Sequence, residues 1–275
     1  MSRETRAYHA PCIFVNHGGG PNPILGEKNN LEIADSLRDI SKYVDFDRVD
    51  AVIVVTAHRE EDIVTISSGD RHGLVYDYNN FPKESYSLKH AAPGAPLLAR
   101  NVHAAFQRAG ISSTLDETRG WDHGVFVPMI LADPNARVPI LQVSILKEQN
   151  AARHFEIGRV LHEFRAQNVA IVGSGMTYHN MAEFDRAKVE NNGVIVNENF
   201  HKYLTDVCTG DEKARKRILT WEQEEEALEA HPVNEADHFM PLVVCLGASG
   251  SDPCEVVFDS VYTKKFRLGG YVWGR

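Results

Sequence analysis

A chain of 275 residues that is 43% hydrophobic and 24% charged fits one globular α/β domain rather than a fibrous or disordered class. Its formal net charge of −9 and the lack of a basic cluster argue against nucleic acid as a partner. No apolar run approaches the ~20 residues of a membrane span, and Met1 to Arg6 lacks an apolar signal core, so the expected location is cytoplasmic.

The first predicted strand, residues 11–16, ends at His17-Gly18-Gly19-Gly20-Pro21, a tight open loop where backbone can approach a ligand. Leu31, Ala34, Leu37, Ile40 and Ser41 recur at helical spacing and predict a helix over 30–43. The run Ala51 to Ala57 is almost continuously β-branched, as in a strand buried on both faces of a parallel sheet. It gives way to His58 and then to Arg59-Glu60-Glu61-Asp62, so a ligand-type side chain stands at the carboxyl end of a buried strand, where α/β sheets place their sites.

A strand over 63–67 precedes an aperiodic Tyr/Asn-rich stretch, 69–90, of the kind that shapes a pocket. Pro93 to Pro96 opens a helix with Leu97, Leu98, Val102, Ala105 and Phe106 on one face. Strands follow over 111–115 and 138–145, separated by the loop carrying His123 and an apolar helix over 125–131. A helix over 150–165 leads into the buried strand 169–175, with His179 four residues beyond. Residues 185–230 read as mostly helical, with Glu222 to Glu226 as a solvated helix face. Asn234 is the expected N-cap of a buried helix holding His238 in its first turns, and 255–258 and 271–273 read as late strands. The four cysteines show no C-x-x-C spacing and read as reduced thiols.

Three predicted strands thus end at or near His17, His58 and His179. Parallel neighbours lie about 4.8 Å apart, so imidazoles on adjacent strand ends can converge on one ion at bond lengths of about 2.1 Å. His123 and His238 are placed to close such a site from other sides. His9, His72, His103, His154, His162 and His201 read as structural, while position leaves His90 and His231 open. Other chemistries lack their partners. No G-x-S-x-G accompanies the His17-Gly18-Gly19-Gly20 turn, no H-E-x-x-H occurs, and Gly173-Ser174-Gly175 lacks the third glycine of a dinucleotide fingerprint.

Several motifs in order carry a resemblance to the class III extradiol ring-cleavage dioxygenases, in the LigB-like branch that includes the 4,5-DOPA dioxygenases. They are His17-Gly18-Gly19-Gly20-Pro21, Val55-Thr56-Ala57-His58, Asn80-Phe81-Pro82 with Tyr86, Pro93-Gly94-Ala95-Pro96, Trp121-Asp122-His123-Gly124, Gly173-Ser174-Gly175 through His179-Asn180, and His238 to Leu242. The resemblance implies metal ligation by His17, His58 and His238. It makes His179 the acid/base, close enough to touch the metal too, and sets His123 beside substrate or dioxygen. Gly18, Gly19, Phe81 and Tyr86 are implied as substrate contacts. The implied metal is non-heme Fe(II), with Zn(II) found in relatives. The segment 231–238 is longer than the corresponding family stretch, which leaves Glu235 or Asp237 open as a ligand in place of His238.

The expected protein is therefore a single catalytic domain over 1–275. It is α/β, with a central, largely parallel mixed sheet flanked by helices and the site at strand carboxyl ends. It would open a catechol-type, DOPA-like ring with O2. A zinc hydrolase on the same scaffold and a non-enzymatic binding protein are the alternatives, and self-association into a homo-oligomer is left open.

Overall fold

The computed structural model describes residues 9–190 and 193–274; the Met1 to Arg6 stretch lies outside them. Eight strands form one mixed sheet among these residues: β1 Cys12–Asn16, β2 Ala51–Glu61, β3 Val64–Ser67, β4 Ser113–Asp116, β5 Ile140–Leu146, β6 Val169–Gly175, β7 Cys254–Tyr262 and β8 Phe266–Trp273. Their order is β4-β3-β5-β2-β6-β1-β8-β7. The central four, β5, β2, β6 and β1, run parallel, while β3 is antiparallel to β5 and β8 to β1. β1, β5 and β6 are buried along their whole length and β2 as far as Ala57, as their unbroken apolar runs require. Each Val or Ile removed from water there contributes about 1.5–3 kcal/mol.

Helices cover both faces. Met240–Ala248 is apolar on every side because it is enclosed between β1, β2 and β6 and helix Ala151–Arg165. Leu31–Arg38 and His123–Ala132 form a second layer against the same strands. Cys12, Cys208 and Cys245 are buried free thiols.

Some predicted boundaries move. The 30–43 helix breaks at Asp39 into Leu31–Arg38 and Ile40–Tyr43. Leu97 is 65% exposed, and helix Pro96–Arg108 packs instead through Ala99, Val102, Ala105 and Phe106. The acidic run is not one helix face. Glu226 takes a left-handed φ of 65°, and its carboxylate accepts the backbone N–H groups of Asn199 and Phe200 at the start of helix Glu198–Thr209. Asn234 is no N-cap: it is itself left-handed (φ 63°), and the buried helix starts six residues later at Met240.

Two buried histidines make the fold acid-sensitive. His154 Nδ1 donates to the Asn150 carbonyl at 2.8 Å and Nε2 accepts the Leu146 N–H at 2.9 Å, a pairing only the neutral ring satisfies. Burial pushes His154 down to about 4, and burial with the nearby His179 pushes His231 down to about 3. Both lie below the ordinary 6.5, so the unfolded chain binds more protons in this range. Stability is therefore full above that value and is lost as pH falls towards the folded-state values. Urea unfolding at about pH 7.5 and about pH 5 should differ by about 2 kcal/mol for each ring. A midpoint that does not move would contradict the neutral burial of these rings.

Candidate metal centre

Val15 of β1 and Thr56 of β2 both lie opposite Ser174 of β6. His17 and His58 each follow two residues later, so they stand at matched heights on either side of the same strand. The three strands that lead to His58, His179 and His17 are neighbours in the sheet, in the order β2-β6-β1, with β6 between the two that carry His17 and His58. The rings meet across the end of β6, 3.1 Å apart through their Nε2 atoms, with Ser174 Oγ against His17 Nδ1. His58 does not end its strand. Pairing of β2 with β5 jumps from Thr56↔Ser144 to Glu60↔Ile145, and the bulge lifts His58 out of the ladder. Its N–H donates to Thr56 Oγ1 (3.0 Å) and its carbonyl accepts from the Arg119 guanidinium (3.0 Å), which fixes the backbone at the bulge.

His238 arrives from the turn before helix Met240–Ala248. A Cβ on Gly175 would run into the His238 carbonyl, which instead accepts the Met176 N–H at 2.9 Å. Only glycine lets this segment lie so close to the strand end. One ligand-type nitrogen from each of His17, His58 and His238 lies within 4.8 Å of the others. His17 and His58 face each other through Nε2 atoms 3.1 Å apart.

The hydrogen bonds behind the rings set their tautomers. Ser174 Oγ donates to the Gly124 carbonyl (2.5 Å), so it must accept from His17 Nδ1–H at 3.0 Å, leaving the His17 Nε2 lone pair free. His238 Nδ1 donates to Asp237 Oδ2 at 2.8 Å, with the same consequence. His58 Nδ1 faces Asp77 Oδ2 at 3.5 Å, which favours the proton on that nitrogen. Burial holds His17 and His238 well below the ordinary histidine value and His58 down to about 3, so all three are neutral near pH 7. Neutral lone pairs turned towards one another repel unless a cation sits between them. Three imidazoles, each held from behind at Nδ1, fit a divalent transition metal such as iron or zinc.

The open choice of the third ligand is thereby narrowed. Asp237 stands behind His238 as its hydrogen-bond acceptor, and Glu235 belongs to none of the potential metal-holding groups among the described residues. His179 falls in a neighbouring potential metal-holding group, with Asp237 and His238, rather than with His17 and His58. Its ring stacks on His238 (centroids 3.4 Å apart, planes 11° apart), and its ligand atoms group with Asp237 and His238 alone. Burial lowers its pKa. His123 is the first residue of its helix, where Asp77 Oδ1 accepts both its backbone N–H (3.0 Å) and its Nδ1–H (2.9 Å). Its ring lies 3.9 Å from that of His58. Burial raises the Asp77 carboxyl, but the His123 hydrogen bond and the charges of His123 and His58 outweigh it, and the net shift is downward.

These side chains open onto a cavity of about 690 Å3. Gly18, Gly19, Phe81, His58, His123, His179 and His238 line it, together with Met181, Phe184 and the β7–β8 turn. Gly18 has a φ of 74°, and a Cβ there would collide with Asn30. Tyr86 is not part of the wall. It packs behind Tyr78 (5.4 Å between rings), and its hydroxyl accepts the Phe81 N–H at 3.4 Å, so it supports the loop that carries Phe81. Three positioning residues went unnoticed in the sequence: Asp77, Ser174 as the acceptor for His17, and Asp122. Asp122 is fully buried and accepts from Thr56 Oγ1 (2.8 Å) and from Gln142 beneath the His58 bulge. A search for Nδ1 acceptors near each candidate ligand would have pointed into the 69–90 loop and found Asp77.

The family model described as the catalytic LigB subunit of aromatic ring-opening dioxygenase matches residues 7–272. The chain belongs to the LigB family. That membership places it among metal-dependent dioxygenases. LigB relatives include the dioxygenase tasH of Hapsidospora irregularis, 39% identical over 265 residues and covering 90% of this chain and 80% of the relative. The 4,5-DOPA dioxygenase extradiol of Portulaca grandiflora is 30% identical over 240 residues, covering 86% of each chain. A crystal structure of an uncharacterized protein from Escherichia coli K12 shares the fold, with a TM-score of 0.75 at 23% identity over 96% of this chain and 100% of that one. No helix among the described residues is long and apolar enough to cross a membrane.

Proposed function

We propose that this LigB-family protein is an extradiol dioxygenase. It would hold a non-heme Fe(II) through His17, His58 and His238 and open a catechol-type ring, with both atoms of O2 entering the product. The carrying observation is the meeting of three neutral imidazoles, two of which (His58 and His238) line a cavity large enough for an aromatic ring and its substituent. Bound Fe(II) would supply the one-electron redox chemistry that lets triplet dioxygen react with a diol. With no carboxylate in the trio, the full double charge of the ion is left to attract a catecholate.

The surrounding residues then have separable tasks. His179, neutral through burial and lying along the cavity wall, accepts a proton from a diol hydroxyl as it binds and returns one later. His123 is held by Asp77 with its proton on Nδ1, so Nε2 is the atom it offers to the reactants. Phe81 and Phe184 give the ring its apolar walls.

Mixing iron-loaded protein with catechols should consume one O2 per ring and yield a yellow ring-opened product. Protein that carries zinc at full occupancy and consumes no oxygen from a broad catechol panel would refute the assignment. Asp77→Asn keeps the shape but weakens the grip on His123. It should lower kcat by about 10- to 100-fold while bound iron stays near the wild-type level, measured by oxygen electrode and metal analysis. An unchanged kcat would remove Asp77 from the machinery.

A further inference from the structure

Four of the clustered imidazoles have a polar partner facing Nδ1: Ser174 for His17, Asp77 for both His58 and His123, and Asp237 for His238. His179 is the exception. Among the described residues neither of its ring nitrogens has a hydrogen-bond partner, although its backbone N–H is held by the Ala230 carbonyl. The outer torsion of a histidine side chain is broad, so a ring without such a partner turns over a wide range unless packing stops it.

Two rings stop this one. His238 lies parallel to it, with centroids 3.4 Å apart and planes at 11°, which sets the plane of the imidazole. Phe184 meets it nearly at right angles (80°, centroids 5.8 Å apart), the edge-to-face arrangement that aromatic pairs prefer, and limits how the imidazole slides within that plane.

Phe184 is itself held in place from several directions. It sits near the start of helix Met181–Val189, where its N–H donates to the Asn180 carbonyl at 2.9 Å. The Asn180 side chain accepts the Glu183 N–H and donates to the Glu229 carbonyl, so the helix start is tied down beside His179. Three further rings back Phe184: Phe266 at 4.9 Å, and Tyr178 and Tyr262 at 5.8 Å each. Tyr178 and Phe266 are fully buried and stack on each other at 4.5 Å. Tyr262 ends β7 and Phe266 begins β8, so the hairpin, the helix and the segment after β6 meet in one aromatic cluster.

We propose that Phe184 is the positioning residue for His179. Its ring, backed by Tyr178, Tyr262 and Phe266, supplies through packing the orientation that polar partners supply to the other imidazoles. The inference rests on the reading of His179 as the acid/base and adds what aims it. An aromatic support suits that place, because a hydrogen-bonding partner would occupy a ring nitrogen that has to exchange a proton with the substrate.

The test is a double-mutant cycle on iron-loaded protein, with methylcatechol as substrate and oxygen uptake as the assay. Phe184→Leu keeps an apolar side chain but removes the ring. It should lower kcat about 10- to 100-fold, as a misplaced catalytic group does, with KM changed less than about threefold and bound iron near the wild-type level. Phe184→Tyr, which keeps the ring, should retain most of the rate. In a His179→Gln background Phe184→Leu should cost less than about twofold, since no imidazole is left to aim. Losses that multiply in the double variant, or a loss confined to KM, would leave Phe184 as a wall for the substrate alone and overturn the proposal. A second readout needs no turnover. In zinc-loaded, diamagnetic protein with isotope-labelled histidine, magnetisation transfer between the His179 and His238 ring protons reports their stack. It should persist in Phe184→Tyr and weaken in Phe184→Leu, and a transfer that Phe184→Leu leaves intact also overturns the proposal. If no catechol is consumed, the ring-opening reading fails, and the magnetisation transfer alone decides whether Phe184 holds the ring.

Discussion

Replacing His58 with alanine should leave a folded protein that binds little iron and consumes oxygen about a thousandfold more slowly or less, equivalent to about 4 kcal/mol of barrier. The trio offers no spare donor. Removing His58 leaves His17 and His238, and Asp77, which faces the vacated position, is already engaged by two N–H groups of His123. The fold should tolerate the change, because the side chain projects from a bulge into a cavity rather than into the apolar core. In the metal-free protein the substitution also relieves the facing lone pairs of His17 and His58, so thermal unfolding should come no earlier than in the parent. Sites that hold like groups together for function commonly sacrifice stability in this way. Metal analysis, oxygen uptake and a melting curve on one preparation test all three parts. Full iron content in the His58→Ala protein would refute the trio as the metal site.

The central sheet was legible because its strands are long β-branched runs buried on both faces, a pattern that few other structures accept. The histidines were legible because each follows such a run or lies beside a glycine turn. Less visible was how they meet. The three strands are neighbours, but convergence of His17 and His58 across β6 depends on a shared register with Ser174 and on a bulge in β2. Register between distant strands leaves no local trace in a sequence.

His238 lies beside His17 and His58, but not for the reason its sequence position suggested. The expected N-cap at Asn234 is a left-handed turn residue, and the ring is aimed by the close contact at Gly175 and by Asp237. Asp77 was missed for a related reason. A lone carboxylate in an aperiodic loop has no period and no motif, and its role emerges only when the loop folds back over His123 and His58.

Substitution of His179 should separate proton transfer from metal binding. His179 lies outside the trio, so His179→Gln should keep iron near one per chain while kcat falls by about 100- to 10,000-fold, the usual worth of a positioned acid/base. A competing account treats His179 as packing alone, since its ring stacks on His238 and could merely hold that ligand in place. His179→Phe distinguishes the two. Phenylalanine preserves a flat ring against His238 but can neither accept nor donate the proton. If the ring acts through its nitrogen, the phenylalanine and glutamine proteins should be about equally slow, both fully metallated. Added imidazole should then restore part of the rate to an alanine variant, where the vacated space admits it. If stacking were the whole contribution, phenylalanine would recover most of the activity and glutamine would lose iron. The backbone favours the first account, because the His179 N–H is already pinned to the Ala230 carbonyl at 3.0 Å and His238 is already held through Asp237. His238 is therefore aimed without the stack, and the cavity-facing position of His179 is left to serve the substrate.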